Sequence, residues 1–463
     1  MAPYQGEFAS YAPIRRLTEN KRVRDLLGKY DIVEAPLTGS GAGDVSGSTF
    51  VTPENLPRTK GWIPDYVISV DGSLAEVPVD NGYPGAEVAY MTVATVLLDL
   101  KKMHELDAQR PVDPKLFRTT RTTDPVDAVL PGCNVTFKGE TSPAASLRRG
   151  VIELFADQRA FETGETLLDT YHVLLEHKPD ASQNCPYGEG CGMSPVGAYQ
   201  RGTNMYSCPC PSNLPLYSTD ALRFHERFNP IGSNGMVFGE IMQVLERLWL
   251  VHVLRGMEQR GHLNALARLA VIMDGPLAVF GQPAWISQAI AEELERLNKR
   301  LRAATGTDML IIGVEKSGFF VEHFEKLCNA ADKGRVPFSI PNQTALLLTD
   351  QYIKRQVIFS DGKKPYGDAT YFGRKLLYRT KSGAKIVATL PFLEPGHRKL
   401  DTALPSQFPR LADALNVFDS LVSSRYPNAL VPISLAHGEA AIPLSHGTRV
   451  LEKLARELME TGE

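Results

Sequence analysis

Two short runs place acidic side chains where strands of a sheet would end: Val67-Ile68-Ser69-Val70-Asp71-Gly72-Ser73 and Ala270-Val271-Ile272-Met273-Asp274-Gly275-Pro276-Leu277. Each is an apolar, β-branched stretch closing on Asp-Gly. A buried strand reads this way, with the glycine allowing a sharp turn at its end. Carboxylates on neighbouring strands repel each other unless something positive sits between them. A divalent metal ion meets that need and favours chemistry on phosphates, activating water and stabilising the leaving oxygen.

Other groups are candidates to complete such a site. Glu240 and Glu246 lie in one helical run before the second Asp-Gly. Glu246 stands among Val244, Leu245, Leu248, Trp249, Leu250 and Val251, which is unusual for a solvated acid, although a surface pair with Arg247 or Arg255 competes. For Glu240 the surface role is the expectation. His437 closes the apolar run Leu430-Val431-Pro432-Ile433-Ser434-Leu435-Ala436, where a lone histidine is ordinarily a satisfied core residue.

The elements that must position these groups follow from periodicity. Helices are expected over Thr18–Lys29, Ala144–His177, Val237–Gln259, Ser287–Thr305, Leu404–Tyr426, Pro432–Gly438 and Gly447–Met459. Val77–Leu100 reads as β-rich, with a hairpin at Asn81-Gly82-Tyr83-Pro84. Met309–Val314, Gln356–Phe359, Tyr371–Arg379 and Lys385–Leu390 read as strands. There is no internal repeat. Strands interleaved with long helices predict an α/β fold.

Composition sets limits on function. A chain of 463 residues, 43% hydrophobic and 22% charged, buries one large core or two ordinary ones. A net charge of −3 and a pI near 6.4 exclude a bulk electrostatic drive toward nucleic acid, so DNA contact requires a local basic face. With no apolar leader and no apolar stretch of spanning length, the expectation is a cytoplasmic protein without a membrane segment.

Residues 178–215 are polar, rich in Gly and Pro, and hold four of the six cysteines. Cys185, Cys191, Cys208 and Cys210 point to structural zinc in a segment too polar to form a core. Their spacings, five residues and one, depart from the two of a common zinc ribbon. Free loop thiols, or His177 or His225 in place of one thiolate, are the alternatives. Cys133 and Cys328 read as structural. Ser218-Thr219-Asp220 reads as a capped helix start. The pair His225-Glu226 lacks a second histidine at helical spacing and is weak as a metal motif. No Gly-x-x-x-x-Gly-Lys-Ser/Thr phosphate loop occurs.

Taken in order, Asp-Gly-Ser on an early strand, a glutamate on a long helix, Asp-Gly-Pro-Leu on a later strand, a lysine past a strand end and Tyr-Pro…Ala-His near the terminus resemble the NurA nuclease family, from about residue 65 to about 440. The resemblance implies an RNase H-like mixed sheet flanked by helices, here with a helical extension and the Cys-rich insertion. It implies an N-terminal extension over 1–60 and a nuclease domain over 61–463. It implies a homodimer that degrades DNA with manganese beside a HerA-type hexameric ATPase, in DNA end processing or, in bacteria, anti-phage defence. Matched residue by residue, Asp71 and Asp274 correspond to the strand carboxylates and His437 to the C-terminal histidine, with Glu246 chosen over Glu240 as the helical acid.

Carboxylate oxygens with an imidazole suit Mn²⁺ or Mg²⁺, the imidazole favouring Mn²⁺. In the expected hydrolysis one ion activates water and another stabilises the departing oxygen. Lys316 is expected to meet a phosphate as a point charge, with a salt bridge to Glu315 or Glu322 as the alternative. Arg374 and Lys375 are expected beside the DNA path, with strand alternation turning only one of them inward. Docking on the ATPase is one role for the cysteine insertion. Two other readings stay open: a non-catalytic adaptor that clamps DNA or caps the ATPase ring, and an enzyme acting on RNA or an RNA–DNA hybrid.

Overall fold

In the computed structural model, the described residues are 18–30, 48–56, 64–80, 85–105, 121–178, 185–187, 191, 204–211, 213–332, 340–422, 430–441 and 450–456. Eleven strands are described: β1 (Thr49–Val51), β2 (Tyr66–Asp80), β3 (Ala86–Asp99), β4 (Arg121–Pro131), β5 (Met205–Ser207), β6 (Pro215–Tyr217), β7 (Leu269–Asp274), β8 (Leu310–Glu315), β9 (Thr344–Leu347), β10 (Gly373–Arg379) and β11 (Lys385–Pro391). Nine form one mixed sheet in the order β1-β9-β10-β11-β8-β7-β2-β3-β4, while β5 and β6 form a separate ribbon. The block β4-β3-β2-β7-β8 is an antiparallel meander continued by two parallel strands, the RNase H-like arrangement. The fold class is α/β, as expected.

Strand alternation sends successive side chains to opposite faces, and the two faces bury different partners. Ile68, Val70, Val271 and Met273 pack with Leu147, Tyr171, Val244, Leu248 and Leu294, from four helices: Pro143–Asp157, Leu167–Glu176, Gly235–Gln259 and Ile286–Thr305. Val67, Ala270, Ile272 and Ile312 pack on the other face with Leu415 and Phe418 of the helix Leu411–Leu421 and Ile433 of the helix Val431–Ala440. A third cluster forms where Phe320, Phe324 and Leu327 of the helix Phe319–Asp332 cover Leu346, Leu377 and Val387.

Several elements differ from expectation. The stretch 144–177 is two helices, because Thr166 and Asp169 form a capping box that restarts the helix. Gln356–Phe359 is not a strand: Ile353–Ile358 is a π-helix, with Ile353 and Val357 buried at helical spacing. The edge-side strand is instead β9, whose Thr-Ala-Leu-Leu lacks a strand-like alternation. The helix expected from Leu404 starts at Leu411, after two prolines and a 3₁₀ turn at Pro405–Gln407. Ser218–Leu222 is a 3₁₀ turn with no side-chain cap bond from its N-cap, Tyr217. The helix expected over Thr18–Lys29 is observed as Lys21–Leu27.

The turn at 81–84 lies outside the described residues, as do 423–429, 442–449 and 457–463. The strands flanking 81–84 pair antiparallel, as a hairpin requires. The segment Thr49–Val51 adds β1 to the sheet edge by pairing with β9.

The β5–β6 ribbon is fixed to the body by one buried ion pair. Arg148 Nε donates to Asp220 Oδ1 and Arg148 Nη2 to Asp220 Oδ2, both at 2.7 Å, and Nη2 also donates to the Pro215 carbonyl. Both side chains are almost fully buried. Arg148→Ala strands the Asp220 charge and is expected to cost about 3–5 kcal/mol in urea unfolding. Arg148→Ala/Asp220→Ala should recover much of that loss.

Candidate metal centre

The pairing register explains how two distant acids meet. β2 and β7 run parallel with Tyr66 opposite Leu269 and Val70 opposite Met273. One further step along both strands sets Asp71 beside Asp274. Asp71 is not at a strand end, as the sequence pattern had suggested. β2 continues to Asp80, so the carboxylate projects from mid-strand at the point where β7 stops. Gly275 takes φ +79 and turns the chain away from β7, a conformation glycine adopts without penalty.

By alternation Asp71 and Asp274 share the face of Val67 and Ile272, which is the face covered by the Val431–Ala440 helix. That helix delivers His437, whose Nδ1 lies 2.9 Å from Asp71 Oδ2. Ser73, two residues past Asp71 and on the same face, donates its hydroxyl to the Ala440 carbonyl. Helix C-termini leave carbonyls without intrahelical partners, so Ser73 both caps the helix and seats it against β2. His437 is 61% exposed in its side chain, so it is not the satisfied core histidine that a lone occurrence suggests.

One ligand atom each from Asp71, Asp274 and His437 lie within 4.8 Å of one another. Lys316, just past β8, pairs with Asp274 Oδ2 at 2.8 Å, and not with Glu315 or Glu322. Burial, together with the neighbouring Asp274 charge, pushes the Asp71 carboxyl up to about 6, while Lys316 and His437 pull the other way. A carboxyl held that high marks a place where negative charge is under-compensated. Two hard oxygen donors and an imidazole suit a divalent cation of the Mn²⁺ or Mg²⁺ type.

Glu246 approaches from the opposite face of the sheet. A Cβ at position 72 would lie 2.6 Å from Glu246 Oε1 and 3.0 Å from Met242 Cγ, so only glycine lets this carboxylate lie against β2. Its other oxygen accepts from Arg247, and the pair is buried. The structure therefore holds Glu246 beside Gly72, next to Asp71, but outside the group of three. Glu240 pairs with Arg227 at 2.7 Å. Gly72→Ala is expected to destabilise by about 1–3 kcal/mol through overpacking, measured by chemical denaturation.

Arg247 is a residue that the sequence pattern assigned only to surface pairing. Fully buried, its guanidinium is pulled down to about 10 by desolvation. It donates to the Asp274 and Pro276 carbonyls at 3.1 and 3.3 Å, bracing the turn after β7. A basic residue directly after a buried acid in an apolar helix was the available signal.

Arg374 and Lys375, expected beside the DNA path with one of them at the surface, are both buried. β10 lies between β9 and β11 with both faces covered, so alternation turns neither residue to solvent. Arg374 donates to the Lys399 and Thr402 carbonyls. Lys375 pairs with buried Glu315 beneath Phe320.

None of the six cysteines forms a disulfide. Cys185, Cys191 and Cys208 converge. His177 pairs with Glu292 and His225 lies near Asp220, each apart from that cluster.

A family model described as the NurA domain matches residues 65–442, most of the chain and all of the site above. The chain belongs to the NurA family. Among solved structures, this NurA-family chain is similar to the NurA nuclease from Sulfolobus solfataricus, at 10% identity and TM-score 0.35 over 98% of both chains. A second structure, described as NurA, is similar at 10% identity and TM-score 0.29, covering 97% of this chain and 98% of the other. A comparison with curated proteins finds no match. Among the described residues no helix is long and apolar enough to cross a membrane.

Proposed function

We propose that this protein is a metal-dependent deoxyribonuclease that hydrolyses phosphodiesters with Mn²⁺, or with Mg²⁺ less well. The observation that carries this reading is the convergence of Asp71, Asp274 and His437 on one point at the edge of the parallel strands. Asp71 and Asp274 would offer oxygens and His437 nitrogen to the cation. When bound, the ion supplies an activated water and positive charge for the leaving oxygen.

The chain's own groups do the remaining work. Lys316 is tied to Asp274 yet still 30% exposed, so it can turn its ammonium to a phosphate oxygen of the substrate. Ser73 holds the His437 helix in place, and Arg247 holds the Asp274 turn. Lys316→Ala is expected to weaken DNA binding more than it slows turnover, raising KM for linear DNA several-fold.

Family membership supports the rest of the reading: a cytoplasmic homodimer working beside a HerA-type hexameric ATPase, in DNA end processing or anti-phage defence. The chain has no phosphate loop of its own, so ATP-driven movement of DNA falls to that partner. The test is degradation of matched linear DNA, RNA and hybrid substrates with Mn²⁺, Mg²⁺ or chelator, with and without the ATPase. Manganese-dependent loss of DNA alone supports the proposal. Equal or faster loss of RNA or hybrid overturns the substrate. Absence of cleavage together with absence of metal binding in calorimetry replaces it with the adaptor.

A further inference from the structure

Four cysteines far apart in type of surroundings from the acidic centre come together at the β5–β6 ribbon. The Sγ atoms of Cys185, Cys191 and Cys208 lie within 4.8 Å of one another, with Cys191 and Cys208 3.4 Å apart. Cys210 is buried in the same cluster and neighbours Cys208. No two are bonded. Sulfurs bound tetrahedrally at about 2.3 Å from one ion sit about 3.8 Å apart, and the three sulfurs of Cys185, Cys191 and Cys208 already lie within 4.8 Å of one another.

The surroundings argue that the sulfurs do not gather merely as core. Among the described residues Leu216 is the one fully buried non-cysteine side chain of this cluster, flanked by half-buried Tyr187, Tyr206 and Leu214. Among the described residues, then, the thiols themselves make up most of the buried side chains of this cluster. Among the described residues the backbone turns back on itself beside two of the thiols. Cys208 N–H donates to the Leu214 carbonyl at 2.8 Å, and Asn213 N–H to the Cys210 carbonyl at 3.0 Å, with Asn213 at φ +48. This Cys-Pro-Cys turn brings two sulfurs to the side from which Cys185 and Cys191 approach.

We propose that Cys185, Cys191, Cys208 and Cys210 bind one Zn²⁺ as a four-thiolate structural site. As each Sγ–Zn bond forms, the corresponding S–H bond releases its proton to solvent, leaving two net negative charges on the site. Soft thiolates select zinc, while the carboxylate and imidazole donors at Asp71 suit harder cations. The protein thus sorts two metals by ligand chemistry. The zinc lobe is seated on the body through Tyr187, whose hydroxyl donates to the Pro215 carbonyl and whose ring lies 4.8 Å from the Arg148 guanidinium carbon. The ion therefore fixes the lobe that Arg148 and Asp220 anchor.

The test is elemental analysis of the full chain purified without chelator. One zinc per chain is expected, retained in Asp274→Asn and lost in Cys208→Ser. Because Cys208→Ser risks misfolding, the wild-type protein is also titrated with an organomercurial and a zinc dye. Stepwise thiol capping should release one zinc per four thiols. Protein produced with cobalt should show the intense visible bands of tetrahedral thiolate Co²⁺. Zinc-free protein with four freely reactive thiols, zinc lost in Asp274→Asn, or an iron-containing chromophore in place of zinc overturns the proposal. Failure of the zinc proposal is read from metal content and thiol reactivity, and failure of the nuclease reading from DNA cleavage, so the two are distinguishable.

Discussion

Asp274→Ala should lower manganese-dependent degradation of linear DNA by about three orders of magnitude, since a catalytic ion contributes several kcal/mol to the transition state. The substitution should leave the fold intact. Asp274 is partly exposed and its partner Lys316 can rehydrate once released, so the thermal midpoint should shift little. The rate is read from loss of end-labelled duplex with excess enzyme, and the fold from circular dichroism. Cleavage at the wild-type rate in the variant would remove the metal centre from the mechanism.

Asp71 makes the second large prediction, and its sign is opposite for stability and for activity. In the metal-free protein its carboxyl is pushed up to about 6 by burial and the Asp274 charge, against an ordinary value of 3.8 in the unfolded chain. At pH 4 and below both states hold the proton and the residue is neutral to stability. Between about 4 and 6 the native state binds more protons than the unfolded one, so stability falls as pH rises, and it stays low above 6. The difference corresponds to at most about 3 kcal/mol. Asp71→Asn should therefore melt higher than wild type in chelator at pH 7.5, with the gain vanishing near pH 4. Adding Mn²⁺ should raise the melting temperature of the wild type and not of the variant, while the variant loses cleavage. A variant less stable than wild type at pH 7.5 would contradict the assigned charge crowding.

Much of this site could be read from residue types. Asp71, Asp274 and Lys316 each end or follow an apolar β-branched run, and alternation made their placement on a sheet plain. Their meeting could not be read from spacing, because it depends on β2 and β7 being adjacent and in a register that aligns residues 203 positions apart. Glu246 was legible as an acid in apolar company, but its approach depends on the missing side chain of Gly72. Arg374 and Lys375 misled because two adjacent cations in a strand imply one solvent face. Here helices and carbonyls cover both faces, and each cation found its own buried partner. Arg247 was legible as a partner of Glu246, a pair that is buried and not on the surface, but its bracing of the turn through the Asp274 and Pro276 carbonyls was not, because sequence pattern is blind to backbone partners.

The contact between Asp71 and His437 joins positions 366 residues apart. Any polypeptide cut short before Val431 would possess both strand acids yet lack the imidazole and the Ser73 anchor that seats it. A copy proteolysed there is thus chemically incomplete: it keeps the two oxygen donors of the candidate centre and loses the nitrogen donor that the Val431–Ala440 helix brings.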